Sequence, residues 1–386
     1  MRCLKQLALE CNDDVIARVI NDDFYVDDLI TGHDDKSTLL KTCDQVSKIL
    51  KSGCLPLRKW LFNSEISNSP FDSKELTLGD NCQTKTLGLG WFSASDELHF
   101  STMFVQDATR NNNITKRTIL SIISQIYDPL GLLSPSIIIA KITLQKLWLC
   151  KTGWDDPVPQ NIILSWKNYI NKLPHLQTLR IPRHVIGENT NVNELHIFTD
   201  ASQDAYGACA YVRSYIDDPL LVRVPIKTCL LCAKSKVAPV TTVSVPRLEL
   251  NGALLGARLY KQIIKSLRIT FDKVCFWSDS TIVLGWLRMS PSLLKTYVQN
   301  RVVEINEITN DLPWYHVAGS HNPSDLLTRG IQFDDLQSSD LWWHGPTFLR
   351  EPNLNWIHEG VPNVNYDELP ELKPIKTAMI RTTYSL

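Results

Sequence analysis

Four acidic residues stand in settings suited to metal-assisted chemistry. Asp200 ends the apolar run Leu195-His196-Ile197-Phe198-Thr199, and Glu249 sits within Ser244-Val245-Pro246-Arg247-Leu248-Glu249-Leu250. Asp279 ends Val274-Cys275-Phe276-Trp277-Ser278, and Asp325 follows Ser320-His321-Asn322-Pro323-Ser324. Carboxylates brought together repel one another unless divalent cations neutralise them, so such a grouping makes chemical sense as a Mg²⁺ site. Each residue also has an ordinary reading. Asp commonly ends a strand at a turn, and Asp279 could cap the helix after it, with Ser280 and Thr281 beside it. Glu249 could be a solvated helix residue, and Asp325 an acid favoured by a helix N-terminus. Taken together and in this order, the four favour catalysis.

The surrounding pattern supplies elements to hold them. One strand ends at Asp200, and Ala205 to Arg213 and about Leu220 to Lys227 are expected to follow as antiparallel strands. A helix is expected from Pro246 to about Leu267, with proline in a permitted first-turn position. Val274 to Ser278 reads as a short buried strand, Thr281 to Leu287 and Leu293 to about Thr309 as helices, and Trp314 to Val317 as the last strand. Pro323 is expected to open the last helix.

Upstream, apolar spacing predicts a helix over Met1 to about Ile20, then a hairpin with Asp27-Asp28 at its tip. A helix over Lys36 to Lys51 stops at Gly53. Leu57 to Leu61 reads as a strand, and Lys85 to Phe92 with Leu98 to Val105 as a hairpin. Ile114 to Cys150 shows helical spacing on both sides of a break at Asp128-Pro129-Leu130-Gly131. Trp154 to Pro159 marks a linker, and Ile162 to Leu173 another amphipathic helix. After about Pro346 the chain is rich in Pro and Asn and is expected to be extended.

The order Asp200, Glu249, Asp279, Asp325 resembles the RNase H domain of retroelement polyproteins. Phe24-Tyr25-Val26-Asp27-Asp28-Leu29 is similar to the reverse transcriptase active-site hairpin. Thr115-Lys116-Arg117, Tyr127-Asp128-Pro129-Leu130-Gly131-Leu132-Leu133 and Leu341-Trp342-Trp343-His344-Gly345-Pro346 resemble a BEL/Pao-type retrotransposon Pol. The resemblance covers nearly the whole chain. It implies an α/β (α+β multidomain) chain: a partial reverse transcriptase palm over 1–110, thumb and connection helices over 111–190, a five-stranded RNase H-like mixed sheet over 191–335, and an extended tail over 336–386. It further implies hydrolysis of the RNA strand of an RNA–DNA hybrid, with two Mg²⁺ ions (or Mn²⁺) held by Asp200, Glu249, Asp279 and Asp325. His321 matches, more weakly, a mobile histidine that helps product leave. Lys227, Lys234, Lys236 and Arg247 form a basic group that reads either as a nucleic-acid backbone track or as a solvated loop with ordinary surface lysines, and Arg329 either as a phosphate contact or as a cap on the last helix. Nucleic-acid contacts would run through phosphates and sugars because such an enzyme accepts any sequence. In the family a third polymerase carboxylate lies on a strand well upstream of the hairpin. Asp27 and Asp28 are therefore expected to be a relic without polymerase activity on their own.

Composition bounds these readings. The formal net charge is −1, so any nucleic-acid footprint must be local rather than global. Ten cysteines are scattered without a disulfide framework, and Cys229-Leu230-Leu231-Cys232 lacks a second metal-binding pair nearby. No apolar run reaches membrane-spanning length and no secretory signal opens the chain, so an intracellular place is expected. No Asp-Ser-Gly or Asp-Thr-Gly triplet of an aspartic protease is present. Two rival readings stand beside the nuclease. One is a catalytically silent nucleic-acid-binding remnant. The other is an integrase-like nuclease, disfavoured because Glu249 precedes Asp279.

Overall fold

The computed structural model describes residues 2–63, 84–86, 89–100, 114–218, 225–352 and 365–374, and these form two compact units. The first comprises residues 1–101 with 180–183. Its helices are α1 (Arg2–Leu9), α2 (Asp14–Asp22) and α3 (Lys36–Ser52). Where one N-terminal helix was expected there are two. Asp13 ends the continuity by accepting the Val15 and Ile16 N–H groups, which caps α2 afresh. Ile16, Val19, Ile20, Val46 and Leu50 form the small core of this unit.

Strands β1 (Phe24–Tyr25) and β2 (Asp28–Leu29) make a hairpin of two residue pairs, with Val26 in the left-handed region at φ 57°. Strands β3 (Thr84–Thr86), β4 (Leu89–Phe92), β5 (Glu97–Phe100) and β6 (Ile181–Pro182) form an antiparallel sheet in sequence order. The second arm of the expected hairpin extends past residue 100 to positions outside the described residues. Residues 57–61 are not a strand. Lys59 has φ 59°, which interrupts an extended run.

The second unit holds residues 102–179 and 184–386. Its helices are α4 (Lys116–Gln125), α5 (Ser134–Leu149), α6 (Gln160–Lys172), α7 (Val245–Ser266), α8 (Thr281–Arg288), α9 (Thr296–Thr309), α10 (Asp325–Arg329), α11 (Phe333–Ser338) and α12 (Asp340–His344). Its strands are β7 (Val192–Ala201), β8 (Ala205–Tyr215), β9 (Lys227–Val237), β10 (Lys273–Ser278) and β11 (Trp314–His316). The five strands form one mixed sheet in the order β11-β10-β7-β8-β9. The pairs β7–β10 and β10–β11 are parallel; β7–β8 and β8–β9 are antiparallel. Leu195, Ile197, Ala208, Ala210 and Phe276 project from the sheet onto Leu255, Leu259 and Ile263 of α7. A second cluster joins α7 to Val283, Trp286, Val298, Val302 and Ile305 of α8 and α9.

Three sequence-based expectations need correction here. The third strand begins where it was expected to end, at Lys227, and runs to Val237. Lys234 and Lys236 lie on its exposed positions, which suits a strand at the sheet edge. Helix α9 begins at Thr296 rather than Leu293, because Pro291 opens a short 3₁₀ turn first. The segment after residue 335 is not extended over 336–350. It continues α11, forms α12 and a 3₁₀ turn at Thr347–Arg350, and buries Leu336, Trp342 and Leu349.

Long-range polar contacts hold that segment in place. The Trp342 indole N–H donates to Leu132 O at 2.9 Å, and the Tyr211 hydroxyl donates to Trp342 O at 2.7 Å. Arg213, 1% exposed, donates to Leu349 O and Glu351 O and pairs with buried Glu194 at 2.9 Å. Burial alone would raise the Glu194 carboxyl, but bonding and charge from His196 and Arg213 outweigh it and hold it at about 2. Burial likewise pushes the His196 imidazole below its ordinary range.

Candidate active site

The site is built where the parallel strands end. Thr199 of β7 lies beside Ser278 of β10 in parallel register, so Asp200 and Asp279, each one residue on, leave adjacent strands at the same level. Open α/β sheets offer their ligand-binding edge at such strand ends. Asp200 is 6% exposed, and Glu249, Asp279 and Asp325 are half-buried.

Helix α7 delivers Glu249. Three residues on, Gly252 lies so close to β7 that a Cβ there would stand 2.8 Å from the Asp200 carbonyl oxygen. Residues three apart on a helix share a face, so the approach at Gly252 turns the Glu249 face toward the same strand end. Ser280 caps α8 by accepting the Val283 N–H, so Asp279 is not that helix's cap. The Ser280 hydroxyl also donates to Glu249 Oε2 at 2.6 Å.

Asp325 comes from the far side of the sequence, and the segment carrying it is laced to the end of β7. The Ser324 hydroxyl donates to Phe198 O at 2.7 Å, Asn322 Nδ2 to Thr199 O at 3.0 Å, and the Thr328 hydroxyl to Asp200 Oδ2 at 2.6 Å. Asn322, Ser324 and Thr328 are all buried.

The electrostatics show that these carboxylates act on one another. Burial, then the negative charges of Asp279 and Asp325, push the Asp200 carboxyl up to about 6. Burial, and then the Asp200 charge, raise Glu249; burial, with Glu249 and Asp325, raises Asp279. Asp325 is paired with Arg329 one helical turn away.

Among the described residues, no group of three or more His, Cys, Asp or Glu side chains converges as a preformed metal cage. The donor set nonetheless fits a hard divalent cation in kind. It is all carboxylate oxygen, its members repel each other, and Asp279 Oδ1 is buried with no hydrogen-bond partner among the described residues.

The remaining candidates fall in different places. His321 is exposed on the 3₁₀ turn Gly319–His321. Lys227 Nζ is occupied by the carbonyls of His184 and Ile186, and Arg247 by a bidentate pair with Glu371. Lys234 and Lys236 are exposed. Lys236 lines a cleft of about 440 Å³ beside α7 with Arg258, Tyr297 and Arg301, none of which stood out in the sequence. There Arg301 lies over the Tyr297 ring at 3.5 Å and donates to Asn251 Oδ1 at 2.7 Å. Asp27 and Asp28 are exposed on the β1–β2 hairpin of the other compact unit. Cys229 and Cys232 are free thiols on β9, with no metal group around them among the described residues.

A mixed sheet in this order with helices on it is an RNase H-like fold. Residues 115–280 match the family described as the Pao retrotransposon-like RNaseH-like domain. The match takes in Asp200, Glu249 and Asp279 and ends before Asp325.

Among solved structures, the chain is similar to a foamy viral protease-reverse transcriptase in complex with double-stranded DNA. Identity there is 14% and the TM-score 0.43, with 79% of this chain and 47% of that one covered. It is also similar to RNase H1 from Halobacterium salinarum (12% identity, TM-score 0.24, 36% of this chain and 94% of that one). A third is LC11-RNase H1 in complex with an RNA/DNA hybrid (10% identity, TM-score 0.25, 37% and 97%). The chain thus spans about half the length of the foamy viral protein, and none of these likenesses carries a functional conclusion. No curated protein matches the sequence. No described helix is long and apolar enough to cross a membrane.

Proposed function

We propose that the second compact unit is a ribonuclease H that hydrolyses the RNA strand of RNA–DNA hybrids at Asp200, Glu249, Asp279 and Asp325. One observation carries this reading: Asp200 and Asp279 follow residues paired in register on adjacent parallel strands, Ser280 beside Asp279 donates to Glu249, and the segment bearing Asp325 is hydrogen-bonded to the end of β7, so the four carboxylates gather at the carboxyl ends of these strands.

Bound among these oxygens, two Mg²⁺ ions (or Mn²⁺) would supply a nucleophile from water at neutral pH and neutralise charge on the transferring phosphate. The residues themselves hold position and charge. Asp200, on the inner strand, is the most constrained ligand, Glu249 is oriented by Ser280, and Asp325 by the segment laced to β7. The exposed Lys234 and Lys236, with the Arg301–Tyr297 cleft, offer cationic and aromatic surface to a nucleic-acid backbone. His321 keeps its proposed part in product release, and Arg329 is a phosphate contact once released from Asp325.

In this reading residues 1–110 are palm-related, 111–190 thumb or connection, 191–335 the nuclease and 336–386 its C-terminal segment. Polymerisation is not proposed: Asp27 and Asp28 stand exposed, and no carboxylate grouping of this kind surrounds them among the described residues. Catalytic silence with retained hybrid binding is the second reading, favoured by the absence of a preformed metal cage among the described residues.

The test is a substrate panel with Mg²⁺: RNA–DNA hybrid, duplex RNA, duplex DNA and single-stranded RNA, each labelled on one strand. Cleavage confined to RNA in the hybrid, leaving 5′-phosphate and 3′-hydroxyl ends, is expected. Binding of hybrid without cleavage of any substrate would favour the silent remnant.

A further inference from the structure

Thr328 stands behind the Asp200 carboxylate, three residues beyond Asp325 on α10. It is 1% exposed, in a helix of the ordinary Leu-Leu-Thr-Arg kind, and nothing in the residue type marks it as functional. Its hydroxyl lies 2.6 Å from Asp200 Oδ2 and 3.1 Å from Asp325 O. A hydroxyl has one proton to give, and the shorter, charge-assisted bond to the carboxylate takes it.

The rest of the residue is fixed independently. Its carbonyl accepts the Ser202 hydroxyl at 3.0 Å, just beyond the end of β7. The preceding turn is held by Ser324 on Phe198 O and Asn322 on Thr199 O. Three consecutive residues of β7, ending at Asp200, are thus each met by a donor from residues 322–328.

We propose that Thr328 is a positioning residue: it fixes the rotamer of Asp200 and ties the Asp325 helix to it, so that the two carboxylates move as one. This rests on the ribonuclease reading above. A carboxylate left without this donor would be free to turn away from its neighbours, whose charge repels it. Partners of this kind typically change metal affinity or activity by about 10–100-fold when removed.

The experiment uses the full chain with Thr328→Val, which keeps shape and removes the donor, and Thr328→Ser, which keeps the donor and removes a methyl. Thr328→Val is expected to lower kcat on an RNA–DNA hybrid by about 10–100-fold with KM for hybrid little changed, and Thr328→Ser to restore most of it. A readout apart from activity is the rise in Tm on adding Mg²⁺. Wild type and Thr328→Ser should show it, and Thr328→Val should need about tenfold more Mg²⁺ for the same rise.

If Thr328→Val does not give a native circular dichroism spectrum, Thr328→Ala is measured with the same expectations. A donor-less variant with wild-type kcat and an unchanged Mg²⁺ response overturns the positioning role alone. A wild type with neither cleavage nor a Mg²⁺ response overturns that role together with the reading beneath it.

Discussion

Gly252→Ala probes the closest approach in the site. A Cβ at this position would meet the Asp200 carbonyl oxygen at 2.8 Å and its carbon at 3.4 Å, and ordinary contacts begin at 3.4 Å. The difference, 3.4 minus 2.8, means that something must give by about 0.6 Å. Strand β7 cannot easily retreat, since it is paired to β8 from Val192 to Ala201 and to β10 from Glu194 to Thr199. Helix α7 must therefore lift, and Glu249 lifts with it. Overpacking of this kind costs about 1–3 kcal/mol, while exchanging glycine for alanine inside a helix returns about 1 kcal/mol. The net stability change is then about 0–2 kcal/mol. The rate should suffer more, because a misplacement of about 1 Å can cost about 100-fold. A shift of about 0.6 Å predicts a loss of roughly tenfold or more. Urea unfolding and hybrid cleavage measured on one preparation check both halves. A variant that cleaves at the wild-type rate would refute the idea that this contact sets the position of Glu249.

Other expected outcomes follow from the same electrostatics and packing. The Asp200 carboxyl is raised to about 6 from an ordinary 3.8, so its ionised form opposes folding and the associated stability is lost as pH rises through about 6. In metal-free buffer at pH 8, Asp200→Asn should therefore be the more stable protein, by up to about 3 kcal/mol in urea unfolding; equal or lower stability contradicts the repulsion. Glu194 has the opposite sign: its carboxyl is depressed from an ordinary 4.5 to about 2, so its contribution is present above pH 4.5 and is lost as pH falls toward 2. A shift of that size corresponds to about 3 kcal/mol, and Glu194→Gln should flatten the pH–stability curve across this window. The same variant leaves Arg213 without its buried charge partner and should cost about 3–5 kcal/mol at pH 7. Asp28→Asn, in the other compact unit, should leave hybrid cleavage unchanged, and a loss of cleavage would tie the hairpin to the nuclease.

The sheet was legible where apolar runs were unbroken. Leu195 to Phe198 and Val274 to Trp277 are buried on both faces, and runs of that kind can hardly be surface loops. Helix α7 was legible to within a residue because its proline and its long apolar stripe agree. The edge strand β9 was misplaced because Lys234 and Lys236 face outward at alternate positions of its second half and blur the apolar signal. The helices after residue 335 were missed because distant partners hold them, such as Leu132 for Trp342 and Arg213 for Leu349. Within the site, the four carboxylates could be nominated from their strand-end and helix settings. Thr328, Ser280 and Gly252 could not. A threonine in a short helix and a glycine inside a long one read locally as mild helix weakeners, and only their contacts across the fold give them meaning.

The central claim is that the interacting carboxylates are there to cut RNA. Its most direct measurement is a time course of cleavage of a labelled RNA–DNA hybrid in Mg²⁺ by wild type and by Asp200→Asn, with circular dichroism confirming that both are folded. Cleavage of the RNA strand by wild type, reduced to background in the variant, is the predicted result. Folded wild-type protein that leaves the hybrid intact, or a variant that cuts as fast as wild type, would contradict it.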